Sequence, residues 1–279
     1  MTNTLRRGRR KKNLKKVLDK FLKSDIIILS KQKRGKKMSR KNYYLVLDTE
    51  TCNTLEQPLP YDIGWVICDR KGNIYERRSF VVSEVFLDMK DVMVSAYYAN
   101  KLPQYWEDIK SGKRTLTGLW KIRKAMVADM KAYKVKAVGA YNMGFDKRAL
   151  NNLIRYVSKS WLRWWFPFGT QFFCIWNMAC NAILNRTTYI KFAEENGFIS
   201  DKNNLLTSAE CAYRYITDSI DFIESHTGLE DVEIEVAIMA ECYKQHKALK
   251  TEINSACWRE VQRKRKEVEV RATFKKKVA

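Results

Sequence analysis

The stretch YYLVLDTET, residues 43–51, constrains the fold of this chain more than any other segment. Tyr43–Leu47 has the composition of a buried strand, yet it runs straight into Asp48 and Glu50. Side chains alternate along a strand, so residues two apart share a face. Both carboxylates therefore point the same way at the end of a buried strand. Neighbouring buried anions cannot both stay ionised without compensation from a proton, an Arg or Lys, or a metal. Hard divalent cations prefer oxygen ligands, and one carboxylate can bridge two of them. The competing reading is that the strand has ended and both acids are solvated. Asp-x-Glu is a common triplet and leaves that choice open by itself.

The order of elements around this stretch indicates an α/β fold. Residues 62–69 (DIGWVICD) and 74–82 (IYERRSFVV) read as two further strands joined by a turn at 70–73, so the domain opens on adjacent antiparallel strands. Residues 83–133 are helical in character, most clearly 119–133. A strand is expected at 135–141, a helix from Asp146 to Tyr156, and helices over 207–223 and 228–250. The expected architecture is a mixed β-sheet flanked by helices.

The chain has 279 residues, 46% of them hydrophobic, enough for one sizeable core. No apolar run is long enough to span a bilayer, and no signal-peptide pattern follows the basic N-terminus. The seven cysteines form no Cys-x-x-Cys pair and read as reduced, mostly buried thiols of a cytoplasmic protein, which argues against a zinc ribbon or a disulfide frame. The net charge of +22 is unevenly spread. Residues 1–41 hold 17 Lys/Arg against Asp19 and Asp25, and residues 244–279 hold 12 against four Glu, so residues 42–243 carry a net charge of only −1. The expected organisation is a basic N-terminal extension (1–41), a central domain (42–245) and a basic helical C-terminal tail (246–279). Such tails attract polyanions, nucleic acid first.

In the extension, Leu14, Val17, Leu18, Phe21 and Leu22 share one helical face among lysines. Lys33-Arg34-Gly35-Lys36-Lys37, directly before Met38, also has the purine-rich codon character of a translated ribosome-binding sequence. On that reading residues 1–37 precede a native start at Met38.

Two more places carry acids in suggestive positions. In GAYNMGFDKRAL (139–150) a strand gives way to a helix, with Asp146 at the junction. An N-cap Asp would stabilise the helix start by about 1 kcal/mol, but such junctions are also where α/β sheets present ligand-binding groups. In HTGLEDVEIEVAIM (226–239), Thr227 and Glu230 read as a capping box. Glu230, Glu233, Glu241 and Lys244 fall on the wet side of that helix, whereas Asp231 aligns with Ile234, Ile238 and Cys242. An inward acid needs a partner. Glu235 lies near the same arc, so a wide helix margin would accommodate both. His226 sits just ahead, and the only other histidine is His246.

Together, Asp48-Thr49-Glu50, Asn142-x-x-Phe145-Asp146 and His226-x-x-x-x-Asp231 resemble the three motifs of the DEDD superfamily of 3′–5′ exonucleases in its DEDDh branch, which includes epsilon-type proofreading subunits, ribonuclease T and oligoribonuclease. The resemblance covers about residues 42–245. It implies a ribonuclease H-like fold and two divalent cations, Mg²⁺ or Mn²⁺, held by Asp48, Glu50, Asp146 and Asp231. It also implies His226 as general base, and substrate contacts from Thr49, Thr51, Asn142 and Phe145. The implied product is a nucleoside 5′-monophosphate released from a 3′ end, with single-stranded nucleic acid as partner and no membrane. Since no polymerase region accompanies the motifs, proofreading would require a separate polymerase or replisome protein.

DNA is the expected substrate. An RNA-trimming enzyme of the same fold and a weakly active nucleic-acid-binding replisome adaptor are the alternatives. The segment 160–169 (SWLRWWFPFG) has no counterpart in the resemblance. Trp161, Trp164 and Trp165 fit either core or lid packing, or stacking on bases at about 1–3 kcal/mol each.

Overall fold

In a computed structural model of the chain, which describes residues 41–94, 96, 99–245 and 248–278 with side chains through Arg271, the apolar run at Tyr43 becomes a central strand. The amphipathic face at 14–22 and His246 lie outside the described residues. β1 (Tyr44–Cys52) pairs antiparallel with β2 (Leu59–Cys68) and parallel with β5 (Ala137–Ala140). β2 pairs antiparallel with β3 (Ile74–Val82), β3 parallel with the edge strand β4 (Thr115–Thr117), and β5 parallel with β6 (Phe172–Cys174). The order across the sheet is β4-β3-β2-β1-β5-β6.

Among the described residues, four α-helices and a short 3-10 helix (Ala99–Lys101) lie between β3 and β5, the α-helices being α1 (Ser83–Phe86), α2 (Lys90–Met93), α3 (Leu102–Lys110) and α4 (Leu119–Ala132). α5 (Met143–Ser158) joins β5 to β6. Then follow α6 (Ile175–Ala182), α7 (Thr187–Glu195), α8 (Ala209–Thr217), α9 (Gly228–Lys244) and α10 (Trp258–Val278). The expected mixed sheet flanked by helices is therefore present.

Several boundaries differ from those expected. β1 does not end before its acids: it continues to Cys52, because β2 runs alongside as far as Leu59, and the ladder slips by one residue between Glu50 and Thr51. The solvated-end reading of Asp48 and Glu50 therefore fails. α8 stops at Thr217, capped by Asp218 in the left-handed region (φ 54°), and α9 stops at Lys244. β4 and β6 span three residues each, too short for a periodicity to register.

Alternation along β1 divides two cores. Tyr43, Leu45 and Leu47 face one layer with Trp65, Ile122 and Leu153, while Tyr44 and Val46 face the other with Met178, Val232 and Met239. Asp48 and Glu50 continue the Tyr44–Val46 face, beneath α9. Cys257 and Val261 join this second core, and the Thr251 carbonyl accepts from Cys174 N at 2.9 Å. All seven cysteines are buried and unpaired. Among the described residues, no helix is long and apolar enough to cross a membrane.

The start of α9 touches the sheet directly. A Cβ on Gly64 of β2 would lie 2.3 Å from the Gly228 carbonyl carbon, and one on Gly228 would lie 2.9 Å from Gly64 N. Only paired glycines permit this approach. It is fixed by buried charge: Asp62 accepts from Gly228 N (3.0 Å), Tyr105 Oη (2.7 Å) and Arg114 (3.1 Å), and Arg114 also pairs with Glu230 (2.8 Å) and Asp108 (3.0 Å).

A Gly64→Ala substitution is expected to push α9 off the sheet. Overpacking of this kind costs about 1–3 kcal/mol. The urea-unfolding midpoint should fall accordingly, and a variant with an unchanged midpoint would show that the helix is free to shift.

Candidate active site

Each carboxylate named by the motifs is placed by a different local feature. Asp48 and Glu50 share a face of β1 by strand alternation. Asp146 does not cap α5. That helix begins at Met143 after Asn142, which leaves Asp146 in its first turn, buried, accepting from Thr49 Oγ1 at 2.9 Å. Asp231 stands in the first turn of α9, buried, accepting from Thr227 N (2.9 Å) and Ser225 Oγ (3.0 Å). The expected capping box is thus altered: Thr227 Oγ1 donates to Glu230 Oε2 at 2.8 Å, but the Thr227 N–H is taken by Asp231 rather than Glu230.

These groups form one electrostatic cluster. Burial raises the Asp48 carboxyl well above the usual carboxylate range, and the charges of Asp146, Glu235, Glu50 and Asp231 add to the effect. Burial likewise pushes Glu50 up to about 8, aided by Asp231 and Asp62. Asp146 is pushed up to about 7 by burial despite the Thr49 hydrogen bond, and Asp231 to about 6 despite Ser225 and Thr227. Glu230, next to Asp231, moves oppositely. Burial opposes its ionisation, but Lys113 and Arg114 bring it down to about 2. Neighbouring acids on one helix thus divide into an ion-paired anchor and a member of the carboxylate cluster.

His226 adopts φ 49°, the left-handed region. A non-glycine residue held there costs of the order of 1–3 kcal/mol, and such residues cluster at functional sites. One ligand atom each of Glu50, His226 and Asp231 lies within 4.8 Å of the others, and the same holds for Glu210, Glu224 and His226. Burial, then the nearby Lys101 charge, lower the His226 pKa, so the imidazole is neutral at pH 7. Lys101 Nζ donates to the Ser225 carbonyl, which holds an ammonium beside this corner.

The remaining motif residues lie around the cluster. Thr49 is buried with its hydroxyl on Asp146, and Thr51 is partly buried. Asn142 is exposed at the mouth of α5, and Phe145 is partly buried under the Arg148 guanidinium, 5.5 Å from the ring centroid.

The structure adds a fifth carboxylate. Glu235, one turn after Asp231 on α9, is buried, and its Oε2 has no hydrogen-bond partner among the described residues. Burial raises its pKa well above the usual range, with Asp146 the largest charge contribution. Helical spacing placed it near the inward arc; its burial depends on the tight seat of α9 on the sheet, which local sequence does not encode. Five clustered carboxylates, one with an orphaned buried oxygen, are the donor set that a hard divalent cation fits. Of these, Glu50 and Asp231 each bring a ligand atom within 4.8 Å of the other and of His226, and Asp48 and Asp146 are tied to them by mutual charge repulsion.

No protein-family model matches the chain, and no curated protein matches it. Among solved structures, the chain is similar to a product-bound exonuclease I (14% identity, 74% of this chain and 44% of that one, TM-score 0.43). It is also similar to E. coli exonuclease I in complex with a 5cy-dT13 oligonucleotide (14%, 75% and 41%, TM-score 0.45). A third is a 3′-exonuclease specific for the 3′ end of a histone mRNA stem-loop (15%, 86% and 76%, TM-score 0.47). The chain spans less than half the length of the exonuclease I chains.

The cluster makes a signed prediction about pH. Unfolded carboxylates release their protons near pH 4, whereas Glu50, Asp146 and Asp231 hold theirs to about 8, 7 and 6. The folded state therefore binds more protons between about pH 4 and 8, and stability falls as pH rises through that window. In EDTA the loss should accumulate across the whole window, because three carboxyls release their protons in turn. Thermal melts from pH 5 to 8 should show a falling Tm. Mg²⁺ should reduce the fall, and Glu235→Gln should make it shallower in EDTA. A Tm that rises with pH in EDTA would mean the acids are not clustered in solution.

Proposed function

We propose that this chain is a metal-dependent 3′–5′ exonuclease that releases nucleoside 5′-monophosphates from the 3′ end of DNA. The observation that carries this reading is the close approach of Glu50, Asp231 and His226, from β1 and the start of α9, with Asp48 of β1 and Asp146 of α5 joined to them by mutual charge repulsion and His226 held in the left-handed backbone region.

The division of labour follows from the surroundings of each group. Asp48 feels the charges of Asp146, Glu235, Glu50 and Asp231, so a bound cation would relieve most repulsion there. Glu50, Asp146 and Asp231 would be the other carboxylates to hold divalent cations. Two divalent cations, when bound, supply the Lewis acidity that activates water and stabilises the leaving 3′ oxygen. Thr49 orients Asp146 through its hydroxyl, and Ser225 with the Thr227 N–H orients Asp231. His226 accepts the proton of the attacking water. Its lowered pKa keeps it unprotonated and able to do so across the neutral range. Asn142 and Phe145, at the start of α5, flank the entrance and are proposed to contact the terminal nucleotide.

A digestion panel tests the reading: 3′- and 5′-labelled single- and double-stranded DNA and RNA with Mg²⁺, Mn²⁺ or EDTA. The expected result is mononucleotide release from 3′ ends of single-stranded DNA, abolished by EDTA. Asp48→Asn should nearly eliminate turnover while leaving the fold intact. His226→Ala should retain Mn²⁺ and substrate binding but lose about 10²–10⁴-fold in kcat, the range for a positioned general base. The acidic limb of the pH–rate profile should vanish in that variant. A His226→Ala protein with wild-type turnover and an unchanged acidic limb would remove the histidine from the mechanism.

A further inference from the structure

The segment 161–168 divides cleanly between core and surface. Trp165 is buried, donating its indole N–H to Met126 Sδ, and its backbone N–H bonds Asn151 Oδ1 at 3.0 Å. Trp161, Trp164 and Phe168 instead stand in solvent, at 80%, 57% and full exposure. The core reading therefore holds for one tryptophan, and the other two are left with no packing role.

Two further features accompany these rings. The Arg155 guanidinium lies 4.4 Å from the Trp164 ring centroid and 5.9 Å from that of Trp161. Trp164 and Phe168 also border a groove of about 420 Å³ that includes Lys147 and Asn151. Lys147, Asn151 and Arg155 follow one another at four-residue spacing along α5. Lys147 and Arg155 stand on either side of the buried Asn151 on a ridge about 12 Å long at 1.5 Å per residue, and Lys147 follows Asp146 in sequence. Finally, residues 147–193 contain seven Lys/Arg and no Asp or Glu, in a central domain that is otherwise slightly acidic.

We propose that this surface is a platform for single-stranded nucleic acid, along which the strand leading to the 3′ end lies. The exposed rings stack on bases, and the guanidinium and ammonium groups of the ridge meet phosphates. Stacking with interleaved cations is how single strands are held without sequence preference. An exposed apolar patch of this kind also suits a lipid surface or an apolar protein face. The absence of acids from residues 147–193, the Lys147 ammonium at the groove and the Arg155 guanidinium on Trp164 favour the polyanion. The proposal rests on the nuclease reading for its direction, since the ridge is taken to lead toward the site.

The test compares wild type with Trp161→Ala/Trp164→Ala, both changes at exposed positions. Binding of labelled oligo(dT) and oligo(U) would be followed in EDTA by anisotropy and tryptophan quenching, at salt high enough to screen attraction to the basic termini. The variant should bind at least tenfold more weakly and lose the quenching. Its kcat/KM on the long strand should fall by a similar factor, with dinucleotide hydrolysis unchanged. Equal oligonucleotide affinity in the two proteins would overturn the platform, as would parallel loss of dinucleotide hydrolysis. Loss of binding to phosphatidylserine vesicles with oligonucleotide affinity retained would assign the patch to lipid instead. If neither protein hydrolyses any strand but the variant loses oligonucleotide binding, the platform stands and the nuclease reading falls.

Discussion

The contact between Gly64 and Gly228 governs the geometry of the candidate site. A helix ordinarily rests on a sheet through its side chains, at about 10 Å; here the first turn of α9 meets β2 backbone to backbone. Gly64 lies opposite Asp48 in the β1–β2 ladder, so the contact brings α9 down at the level of the β1 acids. Asp231 and Glu235, one turn apart, then both face those acids. An alanine at either glycine would lift the helix and open the cluster. The buried Arg114 makes this arrangement permanent. Burial disfavours its charge, but Asp62 and Glu230 outweigh that and hold its pKa above the ordinary value. Removing one member of such a group would leave an unpaired buried charge, at about 3–5 kcal/mol.

Two kinds of buried acid therefore sit a few residues apart. Asp62 and Glu230 are matched to Arg114 and hold the scaffold together. Asp48, Glu50, Asp146, Asp231 and Glu235 are matched chiefly to one another, a local conflict that stabilises nothing in the apo fold. Natural sequences are locally consistent except where function requires otherwise. The paired set works against the conflict in the unpaired one. That is why the helix carrying Asp231 and Glu235 is held by an adjacent ion network rather than by apolar packing alone.

What was legible in the sequence follows the range of the interactions. Asp48 and Glu50 were visible because strand alternation is local, and Asp231 because helical periodicity set it apart from Glu230 and Glu233. Asp146 was visible as an acid at a strand-to-helix junction, a cap or a ligand by local signal; its burial against Thr49 spans 97 residues of sequence. Glu235 stayed ambiguous, since an arc of a helical wheel does not say how closely that helix meets its sheet. Gly64, Arg114 and Lys101 carried no local signal at all. Their roles arise from contacts with Gly228, Asp62, Glu230 and Ser225, each far away in sequence. The tryptophan segment offered two readings because aromatic density marks cores and binding surfaces alike, and only solvent exposure separates Trp165 from Trp161 and Trp164.

Charge segregation gives the proposed reaction a thermodynamic shape. On the proposed reading, a phosphodiester approaching the five clustered carboxylates meets repulsion as those acids ionise, while the flank beginning at Lys147 would attract it. The strand would then be held along α5 independently of the cations, and its terminal phosphate would enter the acid cluster only when the charge of those acids is offset. Any group that lowers this repulsion favours both the cation and the phosphate, so their affinities are linked and each raises the other's by the same factor. A strand bound to the flank but not reaching the acids would leave cation affinity unchanged. Coupling between cation and substrate is thus a property of the Asp48 end of the path alone, and the aromatic end contributes affinity without it.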